Sequence, residues 1–318
     1  MAVFTSVPIS EVAVWARRHF DLSSVETLSP IAEGIENTNY FMETSNQRFV
    51  FTIFEVWDTT LVAYYSAFVR HLAAAGVPVP APLTPSDDAG LCWEDKPCLI
   101  TPFVEGDWIA NPSVADCHRM GVVVAKLHAA AAGFGPSVTN PRGADWRRKI
   151  APLVRDKLSS DKQALLDEAL ACDARFSQLP LPSGACHCDL FRNNVLWRSG
   201  AIVGVIDFYF GGCDSLIFDL AVCICDWCAN PKTGVFDEEK FSALLAGYEE
   251  NRVLCALEKV SFNEALALAA LRFWMSRLYD WHFPRHAQCL TPHDPEHFER
   301  VLLQAQRQYP PYPKRKTG

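Results

Sequence analysis

Long apolar runs are missing from this chain. No uninterrupted hydrophobic stretch among its 318 residues approaches the ~18 that a membrane-spanning helix needs, so no membrane partner is expected. An excess of positive charge is missing too. Lys and Arg number 29 against 37 Asp and Glu, a formal net charge of −8, and a surface that tracks nucleic-acid phosphates needs the opposite sign. The opening residues, Met-Ala-Val-Phe-Thr-Ser-Val-Pro, show neither a basic n-region nor an apolar h-region, which makes the cytoplasm the expected compartment. Polar zinc knuckles are also lacking. The tempting groups Cys186-His-Cys188 and Cys223-Ile-Cys225-Asp-Trp-Cys228 lie inside apolar elements, and the 12 cysteines read as reduced, mostly buried thiols. Internal repeats are absent, and nothing in the sequence sets an oligomeric state.

What is present is an ordinary globular composition, 49% hydrophobic and 21% charged, in a chain long enough for two lobes. The first third reads as β-rich behind one helix. Apolar residues at helical spacing (Val12, Trp15, Ala16, Phe20) predict a helix over 9–20, and strands are expected at 28–34, 39–44 and 49–54. A helix over 61–75 closes at Gly76, because the prolines at 78, 80, 82 and 85 forbid its continuation. Two short strands follow, near 91–93 and 96–102. Ser113-Val-Ala-Asp116 makes a capping box for a helix to about 132, and further helices are expected over 161–179, 215–228, 237–251, 261–283 and 295–308. The domain reading is 1–102 as an N-terminal β-rich nucleotide-binding lobe, 103–309 as a helical catalytic and acceptor-binding lobe, and 310–318 as a disordered tail.

One stretch carries chemistry. His187-Cys-Asp189-Leu-Phe-Arg192-Asn-Asn194 is followed by Val195-Leu-Trp197, a turn at Arg198-Ser-Gly200, and a second apolar run that ends at Asp207. The pattern predicts a catalytic loop and a β-hairpin. In kinase-type sites the loop Asp accepts the proton of an attacking hydroxyl, while the loop Asn and the Asp beyond the hairpin hold Mg²⁺ against nucleotide phosphates. On that template Asp189 is the base, and Asn194 and Asp207 are the metal ligands. The fold class that follows is α+β, a two-lobed protein-kinase-like fold. ATP is expected in the cleft, with the backbone of Thr101, Phe103 and Val104 meeting the adenine.

The chain resembles the aminoglycoside phosphotransferase-like kinases, and within them the homoserine kinases. The resemblance rests on Ala32-Glu-Gly-Ile-Glu-Asn-Thr-Asn-Tyr40, Phe49-Val-Phe-Thr-Ile-Phe-Glu55, His71 to Pro80, His187 to Trp197, Gly204-Val-Ile-Asp-Phe-Tyr-Phe210, Asp219-Leu-Ala221, Asp226-Trp-Cys228 and Arg272-Phe-Trp-Met-Ser-Arg-Leu278. These segments span nearly the whole length. They imply ATP- and Mg²⁺-dependent phosphorylation of the side-chain hydroxyl of L-homoserine, with choline, methylthioribose or an aminoglycoside as alternative acceptors. A catalytically silent nucleotide-binding module is the alternative of a different class.

The chain departs from the wider kinase pattern at one telling place: Thr52 stands where a strand Lys usually grips the α and β phosphates. Arg192 is the expected replacement cation, since a guanidinium bonds phosphate oxygens bidentately. Asn37, Thr38 and Asn39 occupy the phosphate-covering loop. Homoserine carries an ammonium and a carboxylate, so its pocket requires an acid and a cation. Asp214, Asp226, Arg272 and Arg277 are the available charges. Asp219 is expected to bond back to the catalytic-loop backbone.

Overall fold

In a computed structural model of the chain, the described residues are 4–31, 37–284 and 293–307. The expected tail at 310–318, and the end of the strand read over 28–34, fall outside them. The chain divides into two compact units. The first comprises the described residues up to Gly106 together with Val203–Tyr209, and the second holds Asp107–Ile202 and the described residues from Phe210 onward.

The first unit is an antiparallel sheet of five strands in the order β1-β2-β3-β5-β4, formed by β1 (Val25–Pro30), β2 (Thr38–Thr44), β3 (Arg48–Ile53), β4 (Cys92–Trp93) and β5 (Lys96–Pro102). Alternation dictates it: in β2 the side chains of Thr38, Tyr40, Met42 and Thr44 are buried and those between them are half-buried. Helix α1 (Ile9–Phe20) lays Val12 and Ala16 onto Tyr40, Phe49, Phe51, Trp93 and Ile100 to make one core cluster. The Trp15 ring packs on Phe51 at 5.4 Å and edge-on to Trp93 at 5.7 Å. Helix α2 (Thr59–Ala74) starts where the Asp58 carboxylate accepts the Leu61 N–H at 2.8 Å. It ends beside Gly76, which supplies the left-handed φ of 80°.

The second unit is built around α9 (Phe262–His282), whose residues Ala265 to Met275 are all buried. Around it pack α4 (Ala144–Arg155), α5 (Ser160–Phe176), α6 (Leu216–Trp227) and α10 (Glu296–Gln306). A second pair, α3 (Val114–Ala131) and α7 (Glu238–Glu249), lies close because glycines meet at the crossing. A Cβ on Gly121 would stand 2.0 Å from the Leu244 carbonyl oxygen, and one on Gly247 would stand 2.1 Å from that of His118. The Ser113 capping box of α3 forms as expected.

The sequence reading missed α4, α8 (Ala256–Val260) and the two-stranded sheet of β6 (Ser183–Cys186) with β9 (Gly212–Ser215). Each miss has a cause. Pro152 lies inside α4 and reads as a breaker, although the Arg147 guanidinium anchors the helix on the Asp173 carboxylate with two 2.7 Å bonds in the interior. The strands β6 and β9 have four residues each, too few to show a period. Strands β7 (Val195–Arg198) and β8 (Ala201–Val205) pair as expected around Ser199 and Gly200. Both of those residues have positive φ, 51° and 78°, as a type I′ hairpin turn demands. No described helix is long and apolar enough to cross a membrane.

Candidate active site

The loop between β6 and β7 carries Asp189, and side chains tie down nearly every residue of it. The Asp219 carboxylate, in the first turn of α6, accepts the N–H of His187 at 3.1 Å and of Cys188 at 2.7 Å, as expected. Cys188 is thereby held at φ 62°, a left-handed conformation that a side chain rarely adopts without such support. The Trp227 indole N–H donates to the Leu190 carbonyl at 3.0 Å. Asp226 accepts the Arg192 N–H at 2.8 Å. Four backbone groups of the loop, on His187, Cys188, Leu190 and Arg192, are thus held by side chains rather than by a strand ladder.

Asp189 itself is half-buried. The Asn194 amide nitrogen donates to its carbonyl oxygen at 2.8 Å and to its Oδ2 at 3.3 Å. With the nitrogen engaged, the amide oxygen is the polar atom of Asn194 that remains. Arg272, only 4% exposed, brings its Nη1 to 3.8 Å from Asp189 Oδ1. Burial pushes the Asp189 carboxyl above the usual carboxylate range, against the pull of Arg272 and His187. The Arg272 guanidinium rests on two aromatic faces, 3.8 Å from the centre of Phe273 and 5.1 Å from that of Phe210.

Other residues expected at the site are engaged within the protein. Arg192 uses Nε and Nη2 on the Asp226 carboxylate at 2.9 and 3.2 Å, and Nη1 on the Ala110 carbonyl at 2.6 Å. Arg192, expected as a phosphate cation, and Asp226, expected among the substrate-binding charges, thus engage each other. Asp214 accepts from the Asn140 amide and from the Ser215 N–H, both at 2.7 Å, and burial raises its pKa. Arg277 differs. Its Nη1 donates to the Asp294 carbonyl at 3.0 Å and meets His297 Nδ1 at 3.2 Å, and no carboxylate pairs with it among the described residues. Desolvation drags its pKa down to about 10.

In the first unit, Asn39 and Thr52 are cross-strand partners, and the buried Thr52 hydroxyl donates to Asn39 Oδ1 at 2.8 Å. The Tyr209 hydroxyl hydrogen-bonds the same Thr52. Asp207, two residues beyond β8, has φ 65°, another strained non-glycine position. Asn37 is 6% exposed, and among the described residues its Oδ1 has no hydrogen-bond partner. The Thr38 hydroxyl is engaged within the protein: it accepts the N–H of Phe4 and Thr5 and donates to Glu55 Oε1 at 2.6 Å. The same Glu55 pairs with Lys96, a cluster invisible in the sequence because its members lie 17 and 41 residues apart. The Phe103 N–H donates to the Arg48 carbonyl at 2.9 Å, so it is closed to an adenine. Thr101 pairs with Val50 in the ladder, whereas Val104 lies beyond β5.

The buried trio His128, Cys186 and Asp219 brings possible metal ligands together. His128 and Asp219 already satisfy each other at 3.0 Å, and both oxygens of Asp219 hold backbone N–H groups, so these donors serve the protein. The cysteines in the described residues are free thiols, in accord with the sequence reading.

The profile of the Phosphotransferase enzyme family matches residues 27–254. Over 317 residues the chain is 41% identical to a homoserine kinase of Janthinobacterium sp. (strain Marseille), with 98% of each chain covered. Over 332 residues it is 40% identical to a homoserine kinase of Burkholderia cenocepacia (strain HI2424), covering 100% of this chain and 99% of the other. Among solved structures, an amicoumacin kinase in complex with AMP-PNP and Ca²⁺ matches with a TM-score of 0.71 at 15% identity, over 96% of this chain and 95% of that one. A choline kinase from Streptococcus pneumoniae matches with a TM-score of 0.66 at 13% identity, over 94% and 97%. Those two likenesses carry the fold alone, and the fold is the expected α+β protein-kinase-like one. The chain belongs to the phosphotransferase enzyme family, on the branch that holds the homoserine kinases.

Proposed function

We propose that this chain phosphorylates the side-chain hydroxyl of L-homoserine at the expense of ATP, with Asp189 as the base. Family membership implies ATP use. One observation carries the role of Asp189: it is a half-buried carboxylate whose pKa burial raises, fixed by Asn194 and flanked by a buried guanidinium 3.8 Å away. A base of that kind is strong enough to take a hydroxyl proton and is still kept ionised by its cation. As the substrate oxygen forms its bond to the γ-phosphorus, Asp189 receives the proton, the bond to the bridging oxygen breaks, and ADP leaves.

The ligands proposed for Mg²⁺ are Asn194 and Asp207. An amide oxygen and a carboxylate suit this hard cation, and the Asn194 nitrogen is already engaged by Asp189, which leaves the oxygen for a metal. Mg²⁺, when bound, offsets phosphate charge. Asn37 adds a fit for the nucleotide: a buried acceptor without a partner is costly, and a ribose hydroxyl offers the missing donor. Thr52 and Asn39 line this side as a neutral pair, and the backbone of Val104 is proposed to meet the adenine.

On the acceptor side, Arg277 is proposed to hold the homoserine carboxylate, because its neutral partners leave its charge uncompensated. Arg272 takes over the charge-balancing role first expected of Arg192. Two guanidinium groups near Asp189 disfavour choline, a permanent cation.

A coupled ADP-release assay with L-homoserine, L-serine, choline and methylthioribose tests the reading. Homoserine is expected to give the highest kcat/KM by at least about tenfold. Equal or better turnover of another acceptor would replace the substrate, and nucleotide binding without turnover of any acceptor would replace the activity.

A further inference from the structure

Behind the Asp189 loop, polar side chains from four helices join end to end. The chain of bonds starts at the loop N–H groups of His187 and Cys188, both held by Asp219. Asp219 Oδ2 lies 3.0 Å from His128 Nε2 on α3, and His128 Nδ1 lies 2.8 Å from the Tyr248 hydroxyl on α7. Arg252 Nη1 donates to that hydroxyl at 3.0 Å, and its Nη2 donates to Glu258 Oε1 on α8 at 2.8 Å. Glu258 Oε2 closes the far end on the Cys255 N–H at 2.9 Å.

The direction of each proton follows from the cationic end. A guanidinium only donates, so the Tyr248 oxygen accepts from Arg252; with the ring in its Nε2–H tautomer, the hydroxyl's own hydrogen goes to His128 Nδ1. That tautomer is the one that suits the other end, since its Nε2 proton points at the Asp219 carboxylate, which can only accept. Burial alone would raise the Asp219 carboxyl, yet the His128 bond and the loop N–H groups hold it below the usual range, so it is an anion that accepts from both sides. Burial also pushes the Tyr248 hydroxyl up, which keeps its proton in place. His128 is 2% exposed, and Asp219, Tyr248 and Glu258 are fully buried, so a broken link leaves a polar group that water cannot rescue. The approach of α3 to α7 at Gly121 and Gly247 is what brings the ring of His128 to Tyr248.

The geometry points to Tyr248, His128, Arg252 and Glu258 as positioning residues for phosphoryl transfer: through Asp219 they hold the backbone of His187 and Cys188, and with it Asp189, in its working place. None of them touches substrate. Cys188, at φ 62°, is the residue that needs the hold, because its left-handed backbone relaxes once Asp219 turns away. The inference rests on the reading of Asp189 as the base.

The test is Y248F in the full chain, with R252K and R252M beside it. Expected for Y248F is a kcat lowered about tenfold or more with both KM values within about twofold, since only placement of the base is disturbed. Amide hydrogen exchange at His187 and Cys188, measured without substrate, is expected to quicken at least about tenfold while the amides of β2 and β3 keep their rates. R252K, which retains a donor for Tyr248, should recover most of the activity that R252M loses. Unchanged exchange at His187 and Cys188, or an unchanged kcat, in folded Y248F overturns the proposal, as does a uniform quickening across the second unit. If Y248F does not fold, the same criteria apply to R252M. The exchange arm needs no acceptor, so it decides the relay even if the substrate proves to be another hydroxyl compound.

Discussion

Thr52 with Asn39, and Asp189 with its neighbours, are two polar groupings held by different physics. The first is a neutral cross-strand pair whose position follows from the β2–β3 register, with the ladder bearing the load. The second sits on a loop without a ladder, and its backbone is specified by charged side chains: Asp219 under His187 and Cys188, Asp226 under Arg192, Arg272 beside Asp189. A residue set by register has neighbours that repeat its instruction. A loop residue set by one buried carboxylate has no such reserve, so loss of that carboxylate is expected to cost activity out of proportion to the change in atoms.

Substitutions can break or sharpen that contrast. The largest effect is expected from Asp189→Asn, which keeps the shape and removes the carboxylate proposed as the base. Turnover should fall by about 10²–10⁴-fold with ATP affinity within about twofold, read by steady-state kinetics and nucleotide titration. Next comes Asp219→Asn, where an amide replaces a carboxylate that accepts from two loop N–H groups and His128. A loss of about 3 kcal/mol in loop order corresponds to about 100-fold in kcat, with a lowered thermal midpoint. Asp173→Ala acts elsewhere: it leaves the Arg147 cation buried without its carboxylate, and should cost about 3–5 kcal/mol in urea titration while kcat per folded molecule stays near wild type. Gly121→Ala forces a Cβ to 2.0 Å from the Leu244 carbonyl oxygen and is expected to cost about 1–3 kcal/mol by the same measurement. The smallest change is expected of Thr52→Val, which deletes one hydroxyl from a position the ladder still sets: about 1 kcal/mol in stability and a kcat within about threefold. A kcat loss for Thr52→Val as deep as that for Asp219→Asn would abolish the contrast.

Much of this was open to reading because it is local. The strands β2 and β3 alternate, α3 begins with its own capping box, and the turn at Ser199-Gly200 carries residues that tolerate positive φ. Asp189 and Asn194 sit on one contiguous loop, so their spacing alone brought them together. Partnerships across the chain were not open to such reading. Arg192 was expected to serve phosphate and Asp226 the substrate, yet the two, 34 residues apart, engage each other. Arg277 showed no sequence feature that set it apart from Arg192 or Arg272; its neutral partners did so. The glycine crossing of α3 and α7 is silent in sequence because neither Gly121 nor Gly247 ends a helix or forms a turn.

By itself, the order of residues determined the elements with a clear period, the loop that carries Asp189 and Asn194, and the family they resemble, since each of these depends on spacings of a few residues. Packing alone decided which charges neutralise each other and which remain for a ligand. His128 meets Asp219 across 91 residues and Tyr248 across 120, distances over which no local rule operates. Such partners are chosen where helices cross, by the need of every buried polar atom to find a complement.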